Sequence, residues 1–148
     1  MPSIIPGWVY TLFAALIVGT IIVSACSLIT VNVKNEAENQ QLTNIDEYVA
    51  TQSLILLTHT TQANQNVTQF LDLPSSVGNQ MYWVCIANDS SGAWVASGFG
   101  STVSLSQPRI YIPAEVAASG IYISSYGRAS LQCYCMNQSP SLTLSSDY

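Results

Sequence analysis

The N-terminal stretch that decides the fold is IIPGWVYTLFAALIVGTIIV, residues 4–23, and it is apolar almost throughout. No Asp, Glu, Lys, Arg or His occurs from Pro2 through Val33. About 20 apolar residues in an α-helix can cross the roughly 30 Å hydrocarbon core of a bilayer. Pro6 suits a first helical turn, because its missing N–H would have no intrahelical partner there. The stretch therefore predicts a helix of membrane-spanning length that begins near Pro6.

Two kinds of cleavable signal also contain an apolar run. A secretory signal peptide starts with basic residues, whereas the first basic residue of this chain is Lys34. The run Val23-Ser24-Ala25-Cys26 resembles a lipobox, in which Cys26 would become the lipidated first residue of a lipoprotein. We expect instead that the segment is retained and that Cys26 lies buried on one face of the helix.

The helix is expected to continue beyond the apolar stretch. Residues 34–41 contain neither Gly nor Pro, which leaves nothing to end it there. Apolar residues then recur at the helical spacings of three, four and seven: Leu42, Ile45, Val49 and Leu56. The polar face is assigned to Asn44, Asp46, Glu47, Gln52 and Ser53. We predict one helix from about Pro6 to about Thr60, whose apolar stripe packs on the domain that follows.

From about Asn64 the pattern changes to short apolar runs separated by turn residues. The predicted strands include Met81–Ala87, Ala93–Ala96, Ser101–Leu105, Arg109–Ile112, Gly120–Ser124, Arg128–Cys135 and Ser141–Leu144. The fifth and sixth of these are expected to form a hairpin about Tyr126-Gly127. The predicted fold class is α+β: a long N-terminal hydrophobic helix in residues 1–62, then a small antiparallel β-sandwich-like domain or open barrel in residues 63–148.

Composition excludes several functional classes. Charged residues make up 7% of the chain, and the net charge is −5. The three basic residues are Lys34, Arg109 and Arg128. Nucleic-acid binding is not expected, since a phosphate backbone requires a clustered basic patch. With only eight acidic residues, few carboxylates can be protonated in acid. This favours an acidic or otherwise harsh exterior, although ordinary compositional drift would give the same shortage.

The cysteines leave two alternatives open. Cys133 and Cys135 alternate onto the same face of an extended strand, so either is expected to reach Cys85 on another strand. A bridge between Cys133 and Cys135 would be strained, and a disulfide from Cys85 to one of them is preferred. Buried free thiols are the alternative. A metal site is not expected, because His59 is the only histidine and Cys-x-Cys alone has no partner at a zinc-site spacing.

Catalysis is not expected either, and no cofactor is predicted. The sequence has neither a nucleophile elbow nor a Gly-rich phosphate loop. Its close acidic pairs, Glu36/Glu38 and Asp46/Glu47, are interpreted as solvated helix faces. If the chain is exported, three sequons become candidates for N-glycosylation: Asn66, Asn88 and Asn137.

The chain resembles archaeal type IV pilins and archaellins in three features. These are an uncharged helix that opens with Ile4-Ile5 and runs through Val33, a helical extension through Leu57, and a short C-terminal β domain. In that family the helix lies in the membrane before assembly and in the filament core afterwards. The resemblance implies an extracellular, cell-surface filament of identical subunits that serves adhesion or surface attachment. It also implies polymerisation through apolar side chains of the helix: Trp8, Leu12, Phe13, Leu16, Ile17, Ile21, Ile22 and Leu28.

A second interpretation gives the same helix a permanent role as an anchor. The chain would then be a non-polymerising membrane protein, such as a minor pilin, a stator-like component or a binding module. The sequence lacks a Gly- or Pro-rich linker between the predicted helix and the β domain. This favours the filament, because close-packed subunits need a rigid junction and tethered receptors do not.

Overall fold

The computed structural model describes residues 4–63, 65–104, 106–136 and 139–147. These residues form one helix and seven strands: α1 Ile4–Ala63, β1 Val67–Leu71, β2 Tyr82–Asp89, β3 Gly92–Phe99, β4 Ile110–Tyr111, β5 Ala117–Ile123, β6 Arg128–Met136 and β7 Ser139–Asp147. The long N-terminal helix followed by a small sheet confirms the predicted α+β class.

The chain forms two compact units, and the division falls inside α1. The first is Met1–Ala37, called here the helical unit, and the second is Glu38–Tyr148, called the head. The sequence placed the boundary at the end of the helix, between residues 62 and 63. The contacts place it earlier, because the second half of α1 is buried on the sheet and belongs to the head.

The head contains a single seven-stranded sheet with the order β1-β6-β7-β5-β2-β3-β4. All neighbouring strands are antiparallel except β5 and β7, which are parallel. The layer that packs on this sheet is the second half of α1 rather than a second sheet.

The predicted hairpin between β5 and β6 is wrong, although the turn that separates them is present. The N–H of Tyr126 donates to the carbonyl of Ile123, and Gly127 has a positive φ of 95°. β7 lies between the two strands and pairs with both. Leu144 of β7 is opposite Leu131 of β6 on one side and Gly120 of β5 on the other. The last strand therefore occupies an interior position of the sheet, which alternation of apolar residues alone does not reveal.

The two faces of the sheet carry different clusters. Alternate residues of β2 point to opposite faces. Tyr82, Val84 and Ile86 join the main core beside α1, whereas Trp83 and Cys85 form a smaller cluster on the opposite face. We call these the helix side and the outer side. β2 is thus buried on both faces, which explains its nearly unbroken apolar sequence.

The segment 100–109 connects β3 to β4. The predicted strand Ser101–Leu105 is wrong for residues 101–104, which are not in a strand, and Leu105 lies outside the described residues. Val103 packs on the outer cluster. The place beside β3 is taken by β4, whose Tyr111 is opposite Trp94. Val103 therefore covers the outer cluster instead of adding to a strand.

Candidate interaction surfaces

The helical unit presents an apolar surface on every side. All side chains from Gly7 to Val33 are exposed, and Tyr10 reaches 75% exposure. The eight residues that the resemblance assigns to polymerisation all lie on this surface: Trp8, Leu12, Phe13, Leu16, Ile17, Ile21, Ile22 and Leu28. Cys26 is exposed too, so the expectation of a buried helix-face cysteine is wrong for the single subunit.

Four hydroxyl groups on this surface are satisfied within the helix itself. The hydroxyl of Thr11 donates to the carbonyl of Gly7 at 2.8 Å, and that of Ser24 donates to the carbonyl of Thr20 at 2.8 Å. Thr20 and Thr30 make equivalent bonds one turn back. A polar side chain that is satisfied by its own backbone can enter a dry apolar environment without leaving an unpaired donor. These residues therefore do not oppose burial of the surface.

Among the described residues, α1 is the one helix that is long and apolar enough to cross a membrane, judged by length and composition. Its uncharged part, residues 7–33, is the part suited to hydrocarbon, because the first charged side chain follows at Lys34. The helix is therefore compatible with insertion into a membrane.

The helix side of the head is built on the predicted apolar stripe. Leu42, Ile45, Val49 and Leu56 are buried together with residues of the sheet such as Leu131. Val49 has no exposed surface at all. Ser53 and Thr60 are also buried, and their hydroxyls donate to the carbonyls of Val49 and Leu56. These two hydroxyls add buried polar atoms to the stripe without leaving them unpaired.

The assignment of Asp46 and Ser53 to a solvated polar face is wrong. Asp46 is only 6% exposed, and its Oδ1 has no hydrogen-bond partner among the described residues. Burial raises the pKa of its carboxyl from 3.8 to about 7, although hydrogen bonding by Ser97 opposes the rise. Glu38 is buried as well and lies against Gly78, whose φ of 61° places it in a turn. The sequence did not predict this contact.

An ion pair borders the outer cluster. Arg109 Nη1 lies 2.9 Å from Asp89 Oδ2, and its guanidinium carbon lies 4.5 Å from the centre of the Trp94 ring. The N–H of Ser91 and the hydroxyl of Tyr111 also donate to the Asp89 carboxylate. The bond from Ser91, followed by those from Tyr111 and Arg109, lowers the pKa of Asp89. This arrangement fixes the tip of the β2–β3 hairpin to segment 100–109.

The predicted disulfide is wrong. Cys85 belongs to the outer cluster on β2, whereas Cys133 belongs to the helix-side core on β6, and Cys135 alternates onto the same face as Cys133. β7 and β5 separate the two strands, which places them about 14 Å apart at the usual strand spacing. A disulfide requires Cα atoms within about 7 Å and side chains that point toward each other. All four cysteines are free thiols, and burial raises the pKa of Cys85 and Cys133.

The sequons differ in how their amides are used. Asn88 bridges β2 to the start of β5: its Nδ2 donates to the carbonyl of Val116 at 2.6 Å, and its Oδ1 accepts from the N–H of Ala118. Asn66 accepts from the N–H of Cys135 through Oδ1, and its Nδ2, the atom that would carry a glycan, makes no described hydrogen bond. A glycan fits Asn66 better than Asn88. Asn137 lies outside the described residues.

The described residues contain no group of three or more His, Cys, Asp or Glu side chains placed to hold a metal ion. Comparison with known proteins gives no further assignment: no protein-family model, no curated protein and no solved structure matches the chain.

Proposed function

We propose that the chain is a structural subunit of an extracellular type IV pilus-like filament for adhesion or surface attachment, without a catalytic role. Residues 7–33 are held in the membrane before assembly and mediate polymerisation afterwards. The observation that carries the proposal is the exposure of every side chain from Gly7 to Val33. The resemblance to archaeal pilins and archaellins supports the same function.

The size of the uncovered surface requires another molecule to cover it. Burial of one Leu, Ile or Phe side chain contributes roughly 1.5–3 kcal/mol, and a soluble monomer rarely exposes a contiguous apolar patch of more than a few hundred Å². Here large apolar side chains from Trp8 to Val33 are more than one-third exposed. Lipid covers them in the membrane, and the helices of other copies cover them in a filament.

Polymerisation is favoured over a permanent anchor by the continuity of α1. The helix passes from the helical unit into the head at residues 37 and 38 without a turn or loop. A tethered receptor can have a flexible linker at this point, whereas close-packed filament subunits need a junction without one. Repeated contact between two different faces of identical subunits generates an open helical filament.

A membrane-anchored, non-polymerising protein is the second candidate. It is favoured by the presence of a helix that is long and apolar enough to span a bilayer. In that case the helical unit remains in lipid, and the head alone meets the exterior as a binding module.

The two candidates are separated by examining fibres sheared from the cell surface with electron microscopy and mass spectrometry. A filament subunit is expected in the fibres as the main component. A carboxylate at Leu16, introduced as Leu16→Asp, is expected to abolish fibres, because a charge at this exposed apolar position opposes burial among other helices.

The matched control is Thr102→Asp, which places the same charge on an exposed residue of segment 100–109. It is expected to leave fibre yield unchanged. If the chain is found only in membrane fractions and never in fibres, polymerisation is wrong and the anchored protein is supported. Fibres of normal yield from Leu16→Asp would contradict the assignment of residues 7–33 to the contact.

A further inference from the structure

A cavity of about 330 Å³ lies in the head between α1, β3 and segment 100–109. The polar residues that line it are Asn39, Thr43 and Asp46 from the helix, Ser97 from β3, and Gln107. Leu42, Pro108 and Ile110 complete its wall, so Asp46 carries the one ionisable side chain among the described lining residues. The cavity belongs entirely to the head.

Asp46 is more than nine-tenths buried, and its Oδ1 has no hydrogen-bond donor among the described residues. The two arginines of the head have other partners: Arg109 pairs with Asp89, and Arg128 lies over the ring of Phe70. A buried carboxylate without a counter-charge is costly, and either a proton or a cation in the cavity removes that cost.

The two hydroxyl groups of the cavity can accept a hydrogen bond from a ligand but cannot donate one. The hydroxyl proton of Thr43 is donated to the carbonyl of Asn39 at 3.2 Å, and that of Ser97 is shared between the carbonyl of Leu42 at 3.4 Å and the Asp46 carboxylate. Each hydroxyl therefore retains lone pairs but has no second proton to offer. The carboxamides of Asn39 and Gln107 each add one acceptor oxygen beside their N–H donors, so the lining offers four neutral side-chain acceptor oxygens in addition to the carboxylate of Asp46.

We propose that this cavity binds a small primary ammonium group, with one N–H on Asp46 Oδ1 and the others on the neutral oxygens of the lining. An ammonium carries three or four donors and no acceptor, which matches this set of groups. A divalent ion is a poorer fit, because Ca²⁺ and Mg²⁺ sites normally supply more oxygens and more negative charge than one carboxylate. The volume is enough for methylammonium with a few water molecules.

A proton competes with the ammonium for the same carboxylate. With a pKa of about 7 for Asp46, the carboxylate is ionised at pH 8 and almost fully protonated at pH 5. The apparent Kd is therefore expected to be about a hundredfold weaker at pH 5 than at pH 8. No other ionisable group lines the cavity from α1, β3, β4 or the described part of segment 100–109.

The test is thermal melting of the full chain in a non-ionic detergent, with methylammonium chloride at 100 mM. At pH 8 the Tm of the head is expected to rise by about 3–6 °C, since a ligand that binds only the folded state stabilises it. Tetramethylammonium chloride at the same concentration is the matched control, because it has the same charge but no N–H. It is expected to leave the Tm unchanged.

Two further arms decide the assignment. Asp46→Asn is expected to remove the response to methylammonium, and wild type at pH 5 is expected to lose it without any substitution, so the test does not depend on folding of the variant. Equal shifts with both salts, or a full response in Asp46→Asn, would overturn the proposal.

A lysine from another copy could supply the same ammonium chemistry. Lys34 is the only lysine of the chain. In that case the Tm at pH 8 would rise with protein concentration in the absence of added amine, and Lys34→Gln would abolish this rise. Either source supports the ammonium site, whereas the absence of any response to amine or concentration contradicts it.

Discussion

The two halves of α1 are both rich in aliphatic residues, yet they meet different surroundings. From Gly7 to Val33 the side chains are exposed on all sides, whereas in the head half Leu42, Ile45, Val49 and Leu56 are buried under the sheet. The apolar residues of the head half form one stripe, and a sheet of the same chain covers it. The half from Gly7 to Val33 is apolar on all sides, so a sheet packed on one face would leave the other apolar faces exposed. In the proposed function, lipid or other copies of the chain cover this half.

The largest expected effect contrasts the same substitution in the two halves. Val49→Asp places a carboxylate at a position with no exposed surface, which is expected to destabilise the head by more than about 4 kcal/mol and abolish its cooperative melting. Leu16→Asp, at a residue that is 58% exposed, is expected to leave melting of the head unchanged. Circular dichroism of both variants in detergent measures this. An unchanged transition in Val49→Asp would contradict the packing of α1 on the sheet.

A smaller contrast uses glycine. Gly120 has a φ of 138°, and a Cβ there would lie 2.7 Å from the backbone N of Leu144, and closer still to its carbonyl. Gly120→Ala is therefore expected to strain the parallel β5–β7 pairing and destabilise the head by about 3 kcal/mol.

Gly19→Ala is the matched change in the helical unit, where a Cβ would meet nothing within 4 Å. It is expected to leave the melting of the head unchanged and to favour the helix by up to about 1 kcal/mol. A chemical denaturation series on both variants checks the pair. Equal losses would show that the strain does not depend on β7.

The third contrast is in pH dependence. Asp46 has a folded-state pKa of about 7, above the ordinary aspartate value of 3.8, so the folded head binds more protons than the unfolded chain between these values. The contribution of Asp46 to stability is therefore expected to be constant below about pH 4, to fall as the pH rises to 7, and to be constant above, with a total loss of about 4 kcal/mol. Residues 7–33 contain no Asp, Glu, Lys, Arg or His, so membrane insertion of this part is expected to be independent of pH.

Asp46→Asn is expected to flatten this profile, because its amide does not ionise. Denaturant midpoints of wild type and Asp46→Asn from pH 4 to pH 8 provide the measurement. A wild-type profile that rises with pH in this range would mean that another group controls the stability of the head. The expected direction agrees with the tolerance to acid inferred from the small number of carboxylates.

The helix and its stripe could be predicted because each depends on local spacing. The absence of charge up to Val33 and the recurrence of Leu42, Ile45 and Val49 are sufficient for both. The burial of Asp46 could also have been predicted from its spacing. It follows Leu42 by four residues and precedes Val49 by three, so it lies within the stripe, and only its charge suggested the opposite face.

The order of the strands within the sheet could not be predicted in the same way. Leu142 and Leu144 alternate as a half-buried strand should, but alternation is identical whether a strand lies at an edge or at the centre. The position of β7 depends on its pairing with both β5 and β6, which is a long-range property. The cysteine prediction failed for this reason: Cys85 and Cys133 are each buried, but on opposite faces and on strands that are not neighbours.

The smallest expected effect is an unchanged Tm on reduction. It tests whether Cys85 and Cys133 lie on opposite sides of the sheet. Because Cys85 lies on the outer side and Cys133 on the helix side, reduction has no bond between them to break. The Tm of the head is expected to be the same with and without a thiol reductant, and Cys85→Ser is expected to lower it equally in both conditions. A disulfide typically contributes about 2–4 kcal/mol, which would appear as a clear decrease in Tm on reduction. Such a decrease would place two cysteines on the same face and contradict the strand order that puts β7 and β5 between them.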